Sequence, residues 1–127
     1  MKKDNLTYQK AYNFAVRIVR VSQFMAERRA FVLSNQILKS GTSIGANISE
    51  ANRAISDADF SAKISIAYKE TLETKFWLSL MKDTDYLTSR QFESLHRDAD
   101  EIGKILFAIL RKMRIKKRRE NWVADKW

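Results

Sequence analysis

The chain contains no proline and only three glycines, Gly41, Gly45 and Gly103, so little in it obliges a helix to stop. Proline is the residue that most reliably breaks helices, because its ring clashes with the preceding turn and it has no N–H to donate. Leu, Ile, Ala, Lys and Glu are abundant, and all but Ile are strong helix formers. At 127 residues, 45% apolar and 31% charged, the sequence has the size and balance of one globular domain. These features predict an all-α fold with long helices and no sheet.

Helix starts are read from capping signals, since the first N–H groups of a helix lack backbone partners and recruit a hydroxyl oxygen. Leu6-Thr7 with Ala11, Leu33-Ser34 with Leu38, Ile55-Ser56 with Phe60, and Leu87-Thr88 with Phe92 each place an apolar residue before a hydroxyl and another five positions later. This is the spacing of a hydrophobic staple around an N-cap. Asp57 and Asp59 suit the positive end of the third helix, and Gln91 completes a capping box in the fourth. Four starts predict helices near 8–27, 35–54, 57–83 and 89–113.

Between these starts the apolar residues recur at steps of three and four. The seams read Ala11, Phe14, Ile18, Val21, Met25; then Leu33, Ile37, Ser40, Ile44, Asn47, Ala51; then Phe60, Ile64, Ala67, Thr71, Thr74, Leu78, Met81; then Phe92, Leu95, Ala99, Ile102, Leu106, Ile109, Met113. The connections near Glu27 to Leu33, Arg53 to Ile55 and Lys82 to Leu87 are short, which makes sequential helices antiparallel neighbours. The expected architecture is an up-down-up-down four-helix bundle over residues 1–113. Residues 114–127 form a basic tail or an extension of the last helix.

Two features point to self-association. The third helix carries a second stripe, Ile66, Glu70, Glu73, Trp77 and Leu80, with Tyr68 and Phe76 adding apolar area; a wide core face is the alternative reading. The second helix accepts Gly41 and Gly45 in its interior at about 1 kcal/mol each relative to alanine, which suggests close backbone approach by another helix. A phosphate loop is not expected there, because no strand precedes it and no Walker-type lysine follows. Asn47 on an otherwise apolar seam is the kind of polar residue that fixes register and partner choice.

The stretch Ser43-Ile44-Gly45-Ala46-Asn47-Ile48-Ser49-Glu50 resembles the helix 2 signature of the bacterial four-helix bundle proteins also called 23S ribosomal RNA intervening-sequence proteins. Lys69-Glu70, Glu73-Thr74 and Trp77-Leu78 resemble that family's second signature, and Leu33-Ser34-Asn35-Gln36 fits its capped entry. The likeness spans roughly Asn5 to Met113, with Ala51 standing where the family usually has glycine. The family is similar in fold to the accessory protein of diversity-generating retroelements, a basic, barrel-like pentamer that binds nucleic acid and a reverse transcriptase. The resemblance therefore implies a ring-like homo-oligomer, with a pentamer favoured, nucleic-acid binding, and a protein partner such as a polymerase.

The net charge of +9 is unevenly spread. Residues 1–56 carry 9 basic and 3 acidic groups, 57–110 carry 7 and 10, and 111–127 carry 8 and 2. The densest run, Arg111, Lys112, Arg114, Lys116, Lys117, Arg118 and Arg119, is followed by Trp122 and Trp127. Such a cluster attracts phosphates by counterion release, and an adjacent aromatic can stack on an unpaired base. Lys10, Arg17 and Arg20 share a face of the first helix and extend the basic surface, with Arg28 and Arg29 at its end. The competing explanations are dipole complementarity and solubility, an anionic membrane surface, or an acidic protein partner.

No enzymatic chemistry is expected, and no cofactor. The chain has no cysteine and one histidine, which leaves no thiolate or disulfide and little for a metal to bind. Glu93-Ser94-Leu95-His96 matches the Glu-x-x-His element of di-iron bundles, but a second copy is lacking and the pair falls beside the fourth seam. Glu70 and Glu73, one turn apart, fit a structural polar network better than an acid–base pair. Neither a secretory signal nor a membrane span is visible, so a cytoplasmic protein is expected. The sequence thus predicts a non-catalytic bundle that associates through Gly41, Gly45, Asn47, Glu70, Glu73 and Trp77. Its nucleic-acid surface is assigned to Lys10, Arg17, Arg20, the cations of 111–119 and Trp122. The alternative is an interaction scaffold whose basic tail docks on an acidic protein.

Overall fold

A computed structural model describes residues 5–126, which form four helices: α1 (Asn5–Glu27), α2 (Phe31–Ala51), α3 (Asp57–Asp83) and α4 (Ser89–Asp125). No strand occurs among the described residues. Each helix packs on two others, α1 on α2 and α4, and α3 on α2 and α4. Pairs across each seam run in opposite sequence directions. Ser22 meets Ser34 while Ala11 meets Gly45; Ser40 meets Thr74 while Glu50 meets Lys63. Lys75 meets Asp100 while Asp57 meets Lys116, and Lys10 meets Glu101 while Arg17 reaches Ser94. All four contacts are therefore antiparallel.

Two of the four expected caps are seen among the described residues. Ser56 accepts from the Asp59 N–H at 3.0 Å, and Thr88 with Gln91 forms a complete capping box. Ser34 does not start α2. The helix begins at Phe31 behind Ala30, which offers no side-chain cap, and Ser34 lies buried one turn inside it. Its hydroxyl is spent across the bundle, donating to the Ser22 carbonyl at 2.7 Å and meeting the Ser22 hydroxyl at 2.8 Å. Thr7 is likewise buried within α1, which is already helical at Asn5. A hydroxyl with an apolar residue four positions later also lies on one face inside a helix, which is why the pattern misplaced these two starts. At the other ends, α2 stops at Ala51, earlier than 54, and α4 runs on to Asp125, so 114–125 is helix. Trp127 lies outside the described residues.

Helices α1 and α3 end with a left-handed residue that is not glycine: Arg29 at φ 60° and Asp85 at φ 69°. In both, the next N–H bonds back five residues, Ala30 to Met25 and Tyr86 to Met81, each at 2.9 Å. This is the Schellman closure, which satisfies carbonyls the helix end leaves free.

The core follows the predicted seams closely. Phe14, Ile18 and Met25 of α1, Ile37 and Ile44 of α2, Leu78 and Met81 of α3, and Ile102 and Leu106 of α4 are all buried, while Val21 is half-buried and its neighbour Ser22 buried instead. Asn47 departs from its seam. It is half-buried and donates to the Ser43 carbonyl of its own helix at 2.8 Å, while Ile48 fills the core. Polar core residues are satisfied: Thr71 and Thr74 donate to carbonyls one turn back, and Thr74 also reaches Ser40 at 3.0 Å.

The glycines of α2 are explained within the chain. A Cβ on Gly41 would lie 2.5 Å from the Ile18 methyl carbon Cγ2, and one on Gly45 would lie 3.6 Å from the Ala11 backbone. Helix α1 occupies the space that a second subunit was expected to fill. Gly41→Ala should therefore cost about 1–3 kcal/mol by overpacking against a side chain that cannot withdraw. Gly45→Ala, in ordinary contact, should gain up to about 1 kcal/mol from helix propensity. Urea denaturation followed by circular dichroism checks the opposite signs.

Candidate functional site

Helix α4 leaves the bundle with its cations on two flanks. Arg111, Arg114 and Arg118 follow Phe107 at steps of four, three and four, which keeps them on one face turned toward α3. With Leu110 and Ile115 they form one wall of a groove of about 600 Å³, and Ser65, Tyr68, Lys69 and Leu72 of α3 form the other. Its described walls hold four cations and no carboxylate. Lys112, Lys116 and Arg119 fall on a different face of α4, and Lys117 is exposed on a third. Trp122, 61% exposed, stands near the end of the helix beneath the Lys126 ammonium, 4.2 Å from its ring centre.

The groove floor is aromatic. Phe107 is 55% exposed and its ring centre lies 6.0 Å from that of Tyr68, with the planes tilted 46° apart. A second hollow of about 340 Å³ continues past these rings to Lys75, Asp100 and Lys104. There Asp100 accepts from Lys75 at 2.9 Å and lies 3.1 Å from Lys104, which together hold its carboxyl down to about 2. That end of the groove is partly neutralised, and the arginine end is not.

The α1 cations are placed differently. Lys10 pairs with Glu101, and Arg17 with Asp98 at 2.5 Å and with the Ser94 hydroxyl at 2.9 Å. These pairs close the α1–α4 seam, the sparsest of the four contacts. Arg20 is exposed nearby, beside Val21, Phe24 and Gln91. Lys116 is tied to Asp57 at 2.6 Å, which lowers the aspartate's pKa and raises the lysine's. The structure thus sorts the predicted cations into those that close the bundle and those that line open surface.

The stripe of Ile66, Glu70, Glu73, Trp77 and Leu80 lies on the flank of α3 that borders α2. Ser40 and Asn47, seven residues apart, share the corresponding flank of α2. Burial and the neighbouring Glu73 raise the pKa of Glu70, against the pull of Lys39 from α2. Two buried side-chain atoms in the described residues have no hydrogen-bond partner, Glu70 Oε2 and Trp77 Nε1, and both are on this stripe. Beside them Phe76 is 57% and Ile66 40% exposed. Gly41 and Gly45, grouped with this surface from sequence, face α1 instead.

Elsewhere Glu93 is exposed, while the ring of His96 packs on Phe92 at 5.1 Å. Among the described residues no group of three or more metal-binding side chains converges. No described helix is long and apolar enough to cross a membrane. Sequence reading missed Lys69, Tyr68 and Phe107 as groove residues. The available signal was the helical spacing of Phe107 with Arg111, Arg114 and Arg118.

Comparison with known proteins places this architecture. A crystal structure from Bacteroides thetaiotaomicron VPI-5482, described as a protein of unknown function from the S23 ribosomal protein family, superimposes with a TM-score of 0.81. It is 49% identical and covers 83% of this chain and 98% of its own. No curated protein matches the chain. The model of the family described as 23S rRNA-intervening sequence protein matches residues 3–108, nearly the whole bundle, and the chain belongs to that family.

Proposed function

We propose that the protein is a non-catalytic, self-associating helical bundle that binds nucleic acid through backbone phosphates, with RNA the first candidate. The observation that carries this reading is the contrast in charge pairing. Lys10, Arg17, Lys75 and Lys116 are each matched to a carboxylate, whereas the wall of Arg111, Arg114 and Arg118 faces Lys69 with none between. Like charges gathered without counter-charge cost free energy unless an anion relieves them, and a phosphate chain does so while releasing its condensed counterions. The family's description in terms of 23S rRNA supports RNA as the polyanion.

Self-association through the α2–α3 flank is the second part of the proposal. Unpaired buried polar atoms are rare in finished structures. Glu70 Oε2 and Trp77 Nε1 sit beside exposed Phe76 and Ile66, a combination that a neighbouring subunit would complete. A ring-like homo-oligomer of five is the assembly that the family resemblance implies. The alternative, a scaffold whose basic tail docks on an acidic protein, is favoured by the exposure of Ile115, Trp122 and Val123 among the cations.

Three outcomes test these statements. Replacing Arg111, Arg114 and Arg118 with Gln should flatten the slope of log affinity against log salt by about 2 to 3, while Lys116→Gln should change it by less than about 1. Parallel salt titrations for all variants would remove the groove from the binding surface and favour the scaffold. Trp77→Arg should lower the mass measured by light scattering with helix content retained; an unchanged mass would count against the α2–α3 contact. Glu70 has a folded pKa above its ordinary 4.5, so its ionised form is disfavoured in the folded state. At a concentration low enough to dissociate the assembly, Glu70→Gln should therefore raise the melting temperature at pH 7, and the advantage should vanish as pH falls below about 4.5.

A further inference from the structure

We infer that the α3–α4 groove holds an unpaired RNA strand, with a base laid against Phe107 and Tyr68 and the flanking phosphates met by Arg111, Arg114 and Arg118. The inference rests on the nucleic-acid reading above and goes further by naming the form of the ligand and the place of its bases.

The argument starts from an awkward residue. Phe107 leaves more than half of its surface in water although Leu106 beside it is buried in the core, so much of its ring is left unused by the bundle. Leu72 across the groove is 47% exposed, which adds an apolar edge to the same opening. A duplex keeps its bases stacked inside and presents phosphates, so it engages the cations and leaves these side chains wet. An unpaired strand offers both parts at once: a π-face for the rings and phosphates for the rim. The tilt of 46° between Tyr68 and Phe107 means that the two rings do not satisfy each other by parallel stacking.

Spacing agrees with this. Arg111 to Arg118 is seven residues, or about 10 Å along the helix, so three guanidinium groups follow one short stretch of backbone beside the rings. Lys69 stands on the opposite wall, which places positive charge on both sides of the base. Guanidinium planes also stack on bases, which a lysine rim would not provide. At the far end Asp100 offsets one of the two lysines, leaving a single net positive charge against four at the arginine end, so the strand's attraction is stronger there.

The test uses the full chain, a labelled unstructured 12-nucleotide RNA and the blunt duplex of the same sequence, with affinities read by fluorescence anisotropy at fixed salt. Single strand should bind more tightly than duplex. Phe107→Ala should weaken the single strand about 5- to 50-fold, within the range seen for loss of one stacking platform, and change duplex affinity less than about twofold. Phe107→Tyr should retain binding, and Phe107→Leu, apolar but without a ring, should not. Light scattering on each variant should give the wild-type mass; a changed mass would show that the groove is covered by another subunit and would overturn the inference. Crosslinking of a 4-thiouridine strand to the wild-type protein should map to Phe107 or Tyr68, and crosslinks confined to α1 or α2 would also overturn it. If duplex binds as well as single strand and Phe107→Ala changes neither, the groove assignment fails while nucleic-acid binding stands. If neither RNA binds at roughly 50 mM salt, both fail.

Discussion

The arrangement depends on how closely α1 and α2 approach. With no side chain at Gly41, Ile18 can lie directly on the α2 backbone, and Gly45 admits Ala11 one turn further on. Dispersion falls off steeply with distance, so two glycines on one face of α2 set how closely α1 can pack against that face. That approach brings Ser22 opposite Ser34, where the two hydroxyls satisfy each other and penalise any slip in register. The other flank of α2 is then free to meet α3 through Ser40 and Thr74, and α3 in turn carries α4. The α1–α4 closure is the sparsest of the four contacts, and the ion pairs of Lys10 and Arg17 run along it.

This arrangement explains where positive charge is left uncompensated. Carboxylates are concentrated in residues 57–110 and are drawn to the seams, where Glu101 and Asp98 answer α1, and Asp100 answers Lys75. Beyond Leu110 the chain has few acids left. The arginines facing α3 are consequently unmatched, while Lys116 on the other flank finds Asp57 at the start of α3. A single basic run thus contains two populations, distinguished by which side of the helix each residue occupies.

Much of the fold is legible in the residues alone. The α3 seam from Phe60 to Met81 is buried position for position, because alternating steps of three and four over seven residues admit only one face. The Ser56 and Thr88 caps were readable because acidic or amide partners accompany them. Ser34 was not, since a hydroxyl followed by an apolar residue looks the same whether it caps a helix or bonds across a core. Helix ends at Arg29 and Asp85 carry no glycine to announce them. The need for Gly41 and Gly45 was visible, but the identity of the approaching helix was a tertiary fact. Among the site residues, the α4 cations were evident from density, whereas Lys69 and Tyr68 entered only when folding set α3 beside them.

One consequence follows from the length of α4. Its last ion pair with α3 is that of Lys116 with Asp57 and its last groove residue is Arg118, so Arg119 to Asp125 continue for about 10 Å as an overhang exposed to solvent. A helix this short does not sustain itself in water, and here its root carries the consecutive cations Lys117, Arg118 and Arg119. Its rigidity is therefore inherited from the anchored turns behind it. Any polyanion that neutralises those charges would stiffen the overhang, so that its reach into solvent becomes a property of the occupant as much as of the chain.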